Sequence, residues 1–442
     1  MKLNRKNLNQ MNNASSLPAG EKIVHIGLGA FHRAHQAWYT DRVDHEQAWG
    51  IVAFTGRSAQ AAETLMAQDG LFTLVTRDSA GDSFQIIDSI VRAEDGNNTV
   101  ALTEVVSNPN TAIVTLTITE AAYGMDTSGH IDKRNPPVVL QRLAEALNAR
   151  REVNGQGLAI ISCDNMPANG ELLKVAMNDL FAEYGPEAKT WLAEKVSFVS
   201  TSIDRITPKT TNEDIDLVEN ATGWQDAAVV VTEPFSDWVL EGEFPLGRPQ
   251  WELAGAKFVE HIEPFENRKL WLLNGAHSLL AYAGQLRGHE TVAEAINDPT
   301  CRSLVEAFWD EAARHLDENL LEVKKYRSAL LARFKNARIA HRLAQIAIDG
   351  TTKLRVRVAA VANQELAAGR NAQACAEVLA AWVTFVLANE EIADSQAEKI
   401  KLSKSQLDLE IDKRLVALVD PSLAANPEFM NRVTEARQLI KI

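Results

Sequence analysis

Over its first 265 residues the chain alternates short apolar runs, rich in β-branched residues, with longer amphipathic stretches. Lys22–Gly27 (KIVHIG) is such a run and stops at a glycine; Gly50–Thr55 (GIVAFT) is a second, and the stretch from Phe31 to about Glu46 between them has helical character. Strand, glycine turn, helix and strand within about thirty residues make a βαβ unit. Further strands are predicted at Phe72–Arg77, Phe84–Val91, Thr111–Thr119, Leu158–Cys163, Val196–Ile206 and Ala227–Thr232, with helices at Val138–Glu152 and Gly170–Tyr184. This alternation predicts an α/β Rossmann-type domain with a largely parallel sheet. Beyond about Pro264 the strand signal stops. Lys269–Leu286, Val292–Ala295, Leu304–Leu316, Leu320–Arg333, Ala337–Ile348 and Val361–Ala388 all carry helical apolar spacing. The expected organisation is therefore a flexible polar tail over 1–21, an α/β domain over 22–265 and a mainly α-helical domain over 266–442. No Gly/Ser or Pro linker parts the two domains, which predicts close packing around a cleft.

A length of 442 residues suits two domains, and 46% apolar with 24% charged residues is an ordinary globular composition. The net charge of −14 argues against non-specific binding to nucleic acid or to an anionic membrane face. It leaves room for an anionic small substrate in a local basic pocket. The three cysteines, Cys163, Cys301 and Cys375, are far apart and odd in number, and no Cys/His pattern has zinc spacing, so neither a disulfide framework nor a metal is expected. The polar N-terminus lacks the apolar core of a secretory signal, and the longest apolar runs are strand-sized, so a cytoplasmic location is expected. No heptad run is visible, which leaves a monomer as the default.

Gly27-Leu28-Gly29-Ala30-Phe31-His32 places G-x-G after a strand and before a helix, where backbone N–H groups can approach a pyrophosphate. His32 stands where the usual fingerprint has its third glycine. An acidic residue after the second strand would bind the ribose of NAD, yet Thr55-Gly56-Arg57-Ser58-Ala59-Gln60 contains no carboxylate. Arg57 and Ser58 could accept the 2′-phosphate of NADP; equally, Arg57 could be a solvated turn residue. The cofactor expected is NAD or NADP, with NAD the first choice.

The first helix of the C-terminal half carries Glu266, Lys269, Asn274 and His277 in EPFENRKLWLLNGAH (263–277). On an α-helical wheel Lys269, Asn274 and His277 fall at roughly 0°, 140° and 80°, a polar arc among leucines. Oxidation of a secondary alcohol needs a base for the hydroxyl proton and donors for the developing alkoxide, and a desolvated lysine can be that base. The same residues also fit an exposed lysine, a capping asparagine and a satisfied core histidine. Asn165, in SCDNMPANG (162–170), follows a strand at the sheet edge where ligands bind, although an Asx-turn or N-cap would also place an asparagine there.

Taken together, IVHIGLGAFHRAHQAWYTD (23–41), TLTITE (115–120), SCDNMPANG (162–170), DRITP (204–208), TEPFSDWV (232–239) and PFENRKLWLLNGAHS (264–278) resemble the polyol-specific long-chain dehydrogenase/reductase family. RFKNARIAHR (333–342) and AIDGTTKL (347–354) extend the likeness more thinly. The resemblance implies a metal-independent enzyme with its active site between a Rossmann-type and a helical domain. It implies Lys269 as general acid/base, Asn165 and Asn274 as the oxyanion-binding pair, and His277 on a substrate hydroxyl. Glu266 would pass protons between the lysine and solvent, unless it is only a helix-start glutamate, and Lys353 would contact substrate. The substrate implied is a sugar polyol and its ketose, of the mannitol/fructose type, or alternatively a keto-uronate such as fructuronate. A keto-uronate would need a cation for its carboxylate, for which Arg268, Arg342, Lys353 and Arg355 are candidates. A methyltransferase would leave the lysine cluster unexplained, and a ligand-sensing, inactive homologue would not need it intact.

Overall fold

The structure, a computed structural model, describes residues 1–12, 20–44, 46–56, 58–126, 129–132, 134–405 and 410–440. The chain divides into two compact units, Met1–Ile262 and Glu263–Ile442.

The strands of the first unit are, in chain order, β1 (Glu21–Ile26), β2 (Gly50–Phe54), β3 (Phe72–Asp78), β4 (Gly81–Ile87), β5 (Ile90–Glu94), β6 (Ile113–Leu116), β7 (Leu158–Ser162), β8 (Val196–Asp204), β9 (Val230–Thr232), β10 (Asp237–Glu241) and β11 (Lys257–Phe258). Eight of these form one sheet in the order β11-β10-β8-β7-β6-β1-β2-β5, and β4-β3-β9 form a smaller one. The run from β5 to β8 is parallel throughout, and only β10 joins it antiparallel, on β8. Numbered by chain position, those six parallel strands read 3-2-1-4-5-6, the doubly wound order whose reversal lies between β1 and β6. β2, β6 and β7 are buried along their whole length, as expected of strands covered by helices on both faces. Val24 and Ile26 pack on one side with helices Thr99–Ser107 and Val138–Val153; Ile23 faces the other, with Tyr39, Trp238 and Trp251.

Several boundaries differ from the sequence pattern. The run Phe84–Val91 is two strands, β4 and β5, because the chain leaves one sheet and enters the other between them. β10 and β11 lie in segments with no strand signal; they are short and complete a sheet edge already formed by β8. The N-terminus is the larger surprise. Where a frayed tail is expected, Leu3 is 1% exposed and packs with Leu71 and Trp224. The Leu3 amide donates to the Gln225 carbonyl at 3.1 Å, the Gln225 amide donates to the Met1 carbonyl at 2.8 Å, and helix Arg5–Asn12 follows. One buried leucine and a short strand-like pairing are too brief to register as periodicity.

The second unit has no strand among its described residues. Its opening helical run is Glu263–Arg268, then a π-helical turn at Lys269–Gly275, then α-helix Ala276–Leu286. Helix Gln373–Ala388 is almost wholly buried, and Pro427–Leu439 packs along it. Glu311, itself buried, accepts from the Ala374 and Cys375 amides at 3.0 Å each and so caps that helix from a neighbouring one. The long helix expected over Val361–Ala388 breaks at Gly369, where a positive φ of 72° turns the chain out of the helix. Of Ala337–Ile348 only Leu343–Ile346 is helical.

Candidate active site

The turn after β1 sits at the point where the strand order reverses. Gly27 has φ +110°, and a Cβ there would lie 2.1 Å from the Thr117 carbonyl oxygen, so no other residue fits. The Gly27 and Leu28 amides both donate to the Phe54 carbonyl, at 2.9 and 2.8 Å, which folds the turn across β2. Gly29 then begins the helical run Ala30–His32, with extended backbone and no side-chain cap. The Ala30, Phe31 and His32 amides therefore open a helix whose first turn has no side-chain acceptor. That is a fit for a pyrophosphate, which meets helix N-terminal N–H groups over glycine.

The His32 side chain turns into the core. Its ring is fully buried and stacks on His25 at 3.3 Å between centroids, 8° from parallel. The neighbouring segment Arg33–Ala37 is also π-helical, a widened turn beside the ring that stands where the fingerprint glycine would lie. Burial pushes His25 down to about 3 and His32 well below the usual histidine range, so both stay neutral. Thr117 Oγ1 donates to the Gly27 carbonyl at 2.9 Å and lies 3.1 Å from His25 Nε2, while Thr115 Oγ1 lies 2.8 Å from His25 Nδ1. With the Thr117 hydrogen committed, His25 carries its proton on Nε2. Arg57 lies outside the described residues. Ser58 Oγ accepts from the Gln60 amide at 3.3 Å, a local turn.

Asn165 is exposed on the loop that follows β7. The loop is held by Asp164, whose carboxylate accepts from the Ile118 and Thr119 amides at 3.2 and 2.7 Å and from the Tyr123 hydroxyl at 2.8 Å. Asn169 braces the other end, donating to the Asp164 carbonyl at 2.9 Å. Asp164 and Asn169 are within the SCDNMPANG motif, yet nothing in its spacing distinguishes the asparagine presented to solvent from the two residues that hold it.

In the second unit Lys269 opens the π-helical turn and is 9% exposed; Glu266, one turn earlier, is partly exposed. The i-to-i+5 winding places Asn274 roughly above Lys269, not about 140° away as on an α-helical wheel. Trp309 Nε1 donates to the Leu272 carbonyl within this turn at 2.6 Å. His277 follows one turn on, its ring packed on Phe334 and edge-on to His341 at 4.9 and 4.8 Å. Burial, reinforced by His341, Arg333 and Arg357, keeps His277 well below the usual histidine range and so neutral. Its Nε2 is shielded from solvent with no hydrogen-bond partner in the protein. Lys353 is half-buried and donates to the Ile346 carbonyl at 3.1 Å.

A doubly wound nucleotide-binding sheet, a helical second unit and a buried lysine with polar neighbours define a dehydrogenase architecture. Family models agree: the mannitol dehydrogenase Rossmann domain matches residues 21–253, and the mannitol dehydrogenase C-terminal domain matches residues 261–441. The chain belongs to the mannitol dehydrogenase family of oxidoreductases. It is 33% identical to the D-mannonate oxidoreductase of Escherichia coli K12, over 94% of this chain and 92% of the relative. The ternary complex of Pseudomonas fluorescens mannitol 2-dehydrogenase with NAD and D-mannitol superposes with a TM-score of 0.79 at 31% identity, covering 99% of this chain and 96% of that one. A substrate-free D-sorbitol dehydrogenase superposes with a TM-score of 0.90 at 26% identity, covering 99% and 98%.

Proposed function

We propose that this protein interconverts a secondary alcohol and a ketone on a sugar-derived substrate, using NAD or NADP and a lysine acid/base, with no metal invoked. The observation that carries the reading is the second unit's π-helical turn. It holds a nearly buried lysine, an asparagine wound above it and, one turn on, a histidine kept neutral with an unpartnered ring nitrogen. The backbone of Gly27, Gly29, Ala30, Phe31 and His32 would hold the nicotinamide coenzyme, which would supply the hydride in reduction and accept it in oxidation. NAD is the first expectation because a relative of the same fold is named as its complex with NAD.

Lys269 takes the hydroxyl proton during oxidation and returns it during reduction. Asn274 and Asn165 donate to the oxygen as charge develops on it. His277, as a neutral ring, hydrogen-bonds a neighbouring hydroxyl through Nε2, and Lys353 binds further along the substrate. Glu266 exchanges the proton of Lys269 with solvent. The substrate is of the mannitol/fructose type, or a keto-uronate and its aldonate.

The test is oxidation of NADH and NADPH with fructose, xylulose, fructuronate and tagaturonate in the presence of EDTA. Lys269→Ala should lower kcat by about 10³-fold while leaving coenzyme binding intact. Near-normal turnover in that variant, or loss of wild-type activity in EDTA, would defeat the lysine mechanism.

A further inference from the structure

The four cations that the sequence offers for a substrate carboxylate have different positions in the structure. Arg268 is 2% exposed, donates to the Leu321 carbonyl at 2.9 Å and stacks over Tyr326 at 4.1 Å. Arg342 is exposed and pairs with Glu290 at 2.7 Å. Arg355 donates to the Leu418 and Val419 carbonyls at 3.1 and 2.9 Å, closing the end of helix Ile411–Val419. Lys353, the fourth, is half-buried and close enough to Arg357 for the two charges to act on each other.

Its neighbour is an arginine that the sequence pattern does not single out. Arg357 lies on a third π-helical segment, Arg355–Ala359, which packs against the π-helical turn of Lys269. Gly275 permits that approach: a Cβ there would lie 2.5 Å from the Phe308 ring and 3.4 Å from the Arg357 carbonyl oxygen. The Arg357 guanidinium donates through Nη1 to the Asn274 carbonyl at 3.3 Å and to Ser278 Oγ at 3.1 Å. Its Nε is shielded from solvent with no partner, and among the described residues nothing bonds Nη2. The Nε–Nη2 edge is the one that meets a carboxylate with two parallel bonds.

No carboxylate of the described chain forms an ion pair with Arg357 or Lys353. Asp349 and Asp394 act on Lys353 without pairing it, and each also serves its local chain: Asp349 accepts from the Ser395 amide, and Asp394 from the Thr351 amide, the Thr351 hydroxyl and the Gln396 amide. Burial and Arg357 together push Lys353 below the usual lysine range, and burial pushes Arg357 down to about 10. Two adjacent, partly desolvated cations that no carboxylate directly pairs form a place where an anionic group would be stabilised.

We propose that Arg357 and Lys353 bind the terminal carboxylate of the substrate, which makes the physiological pair a keto-uronate and its aldonate. The inference rests on the lysine-based reading above. In the reductive direction a hydride adds to the ketone carbon, the carbonyl π pair becomes the alkoxide, and Lys269 supplies its proton; the carboxylate is unchanged.

The experiment compares kcat/KM for fructuronate and tagaturonate with kcat/KM for fructose and tagatose, in the wild type, Arg357→Gln, Arg357→Lys and Lys353→Met. The wild type should favour a keto-uronate by about 100-fold or more. Arg357→Gln should reduce that ratio at least about tenfold, mainly through KM, and Arg357→Lys should recover part of it. Because Arg357 also holds the Asn274 carbonyl, the ratio, not the absolute rate, is the readout. A second measurement, the rise in melting temperature with D-mannonate, should be smaller in Arg357→Gln than in the wild type. Equal use of fructose and fructuronate by the wild type, or an equal loss on both in Arg357→Gln, overturns this inference and leaves the lysine reading standing. Failure of all four ketoses with both coenzymes overturns the lysine reading, and this inference with it.

Discussion

Three buried histidines show how environment sets the chemistry of a residue type. His25, His32 and His277 are all neutral in the fold because burial disfavours their charged forms. Unfolded, each would titrate near 6.5. Their stabilising neutrality is therefore complete above pH 6.5 and is lost as pH falls below it, because the unfolded chain then binds protons that the fold refuses. At pH 5 His25, held at about 3 in the fold, costs about 2 kcal/mol relative to neutral pH. His25→Leu should reduce the fall in denaturant stability between pH 7 and pH 5 by about that amount, even if the variant is less stable overall. An unchanged slope would show that His25 titrates normally in the native state. Residue type and spacing do not show that His32 stacks on His25 while His277 packs against Phe334 and His341; tertiary contacts decide it.

At the level of elements, the π-helical segments at Arg33–Ala37, Lys269–Gly275 and Arg355–Ala359 are what periodicity missed. Apolar spacing marks all three stretches as helix or beside helix, since one widened turn hardly disturbs a pattern read over many residues. The widened turn does change which side chains share a face. It brings Asn274 over Lys269 and sets Arg357 against the same turn. The Trp309 indole supports that turn by donating to the Leu272 carbonyl. Trp309→Phe should cost about 1–2 kcal/mol of stability and lower kcat more than it raises KM, because the altered element carries the proposed base. Loss of stability with kcat unchanged would show that the π winding does not depend on this bond.

For the molecule as a whole, the N-terminal segment is part of the first unit. The Met1 ammonium donates to the Gly223 carbonyl at 2.8 Å, and Leu3 is buried against Leu71 and Trp224. Removing residues 1–12 should lower the melting temperature by about 5 °C, and Leu3→Asp should do much the same. A truncated chain that melts with the full-length one would return the segment to the status of a tail. No helix among the described residues is long and apolar enough to cross a membrane.

What the chain determines by itself is local and compositional. Buried strands announce themselves by β-branched runs, the coenzyme turn by G-x-G after such a run, and the second unit by helical spacing that begins at Pro264. These signals survive because each depends on neighbours within a few residues. The strand order 3-2-1-4-5-6, the docking of Leu3, the crossing of two π-helical turns at Gly275 and the unpaired edge of Arg357 depend on residues tens to hundreds of positions apart. No spacing rule reaches that far; only the packed chain decides which of many arginines docks on the turn of Lys269.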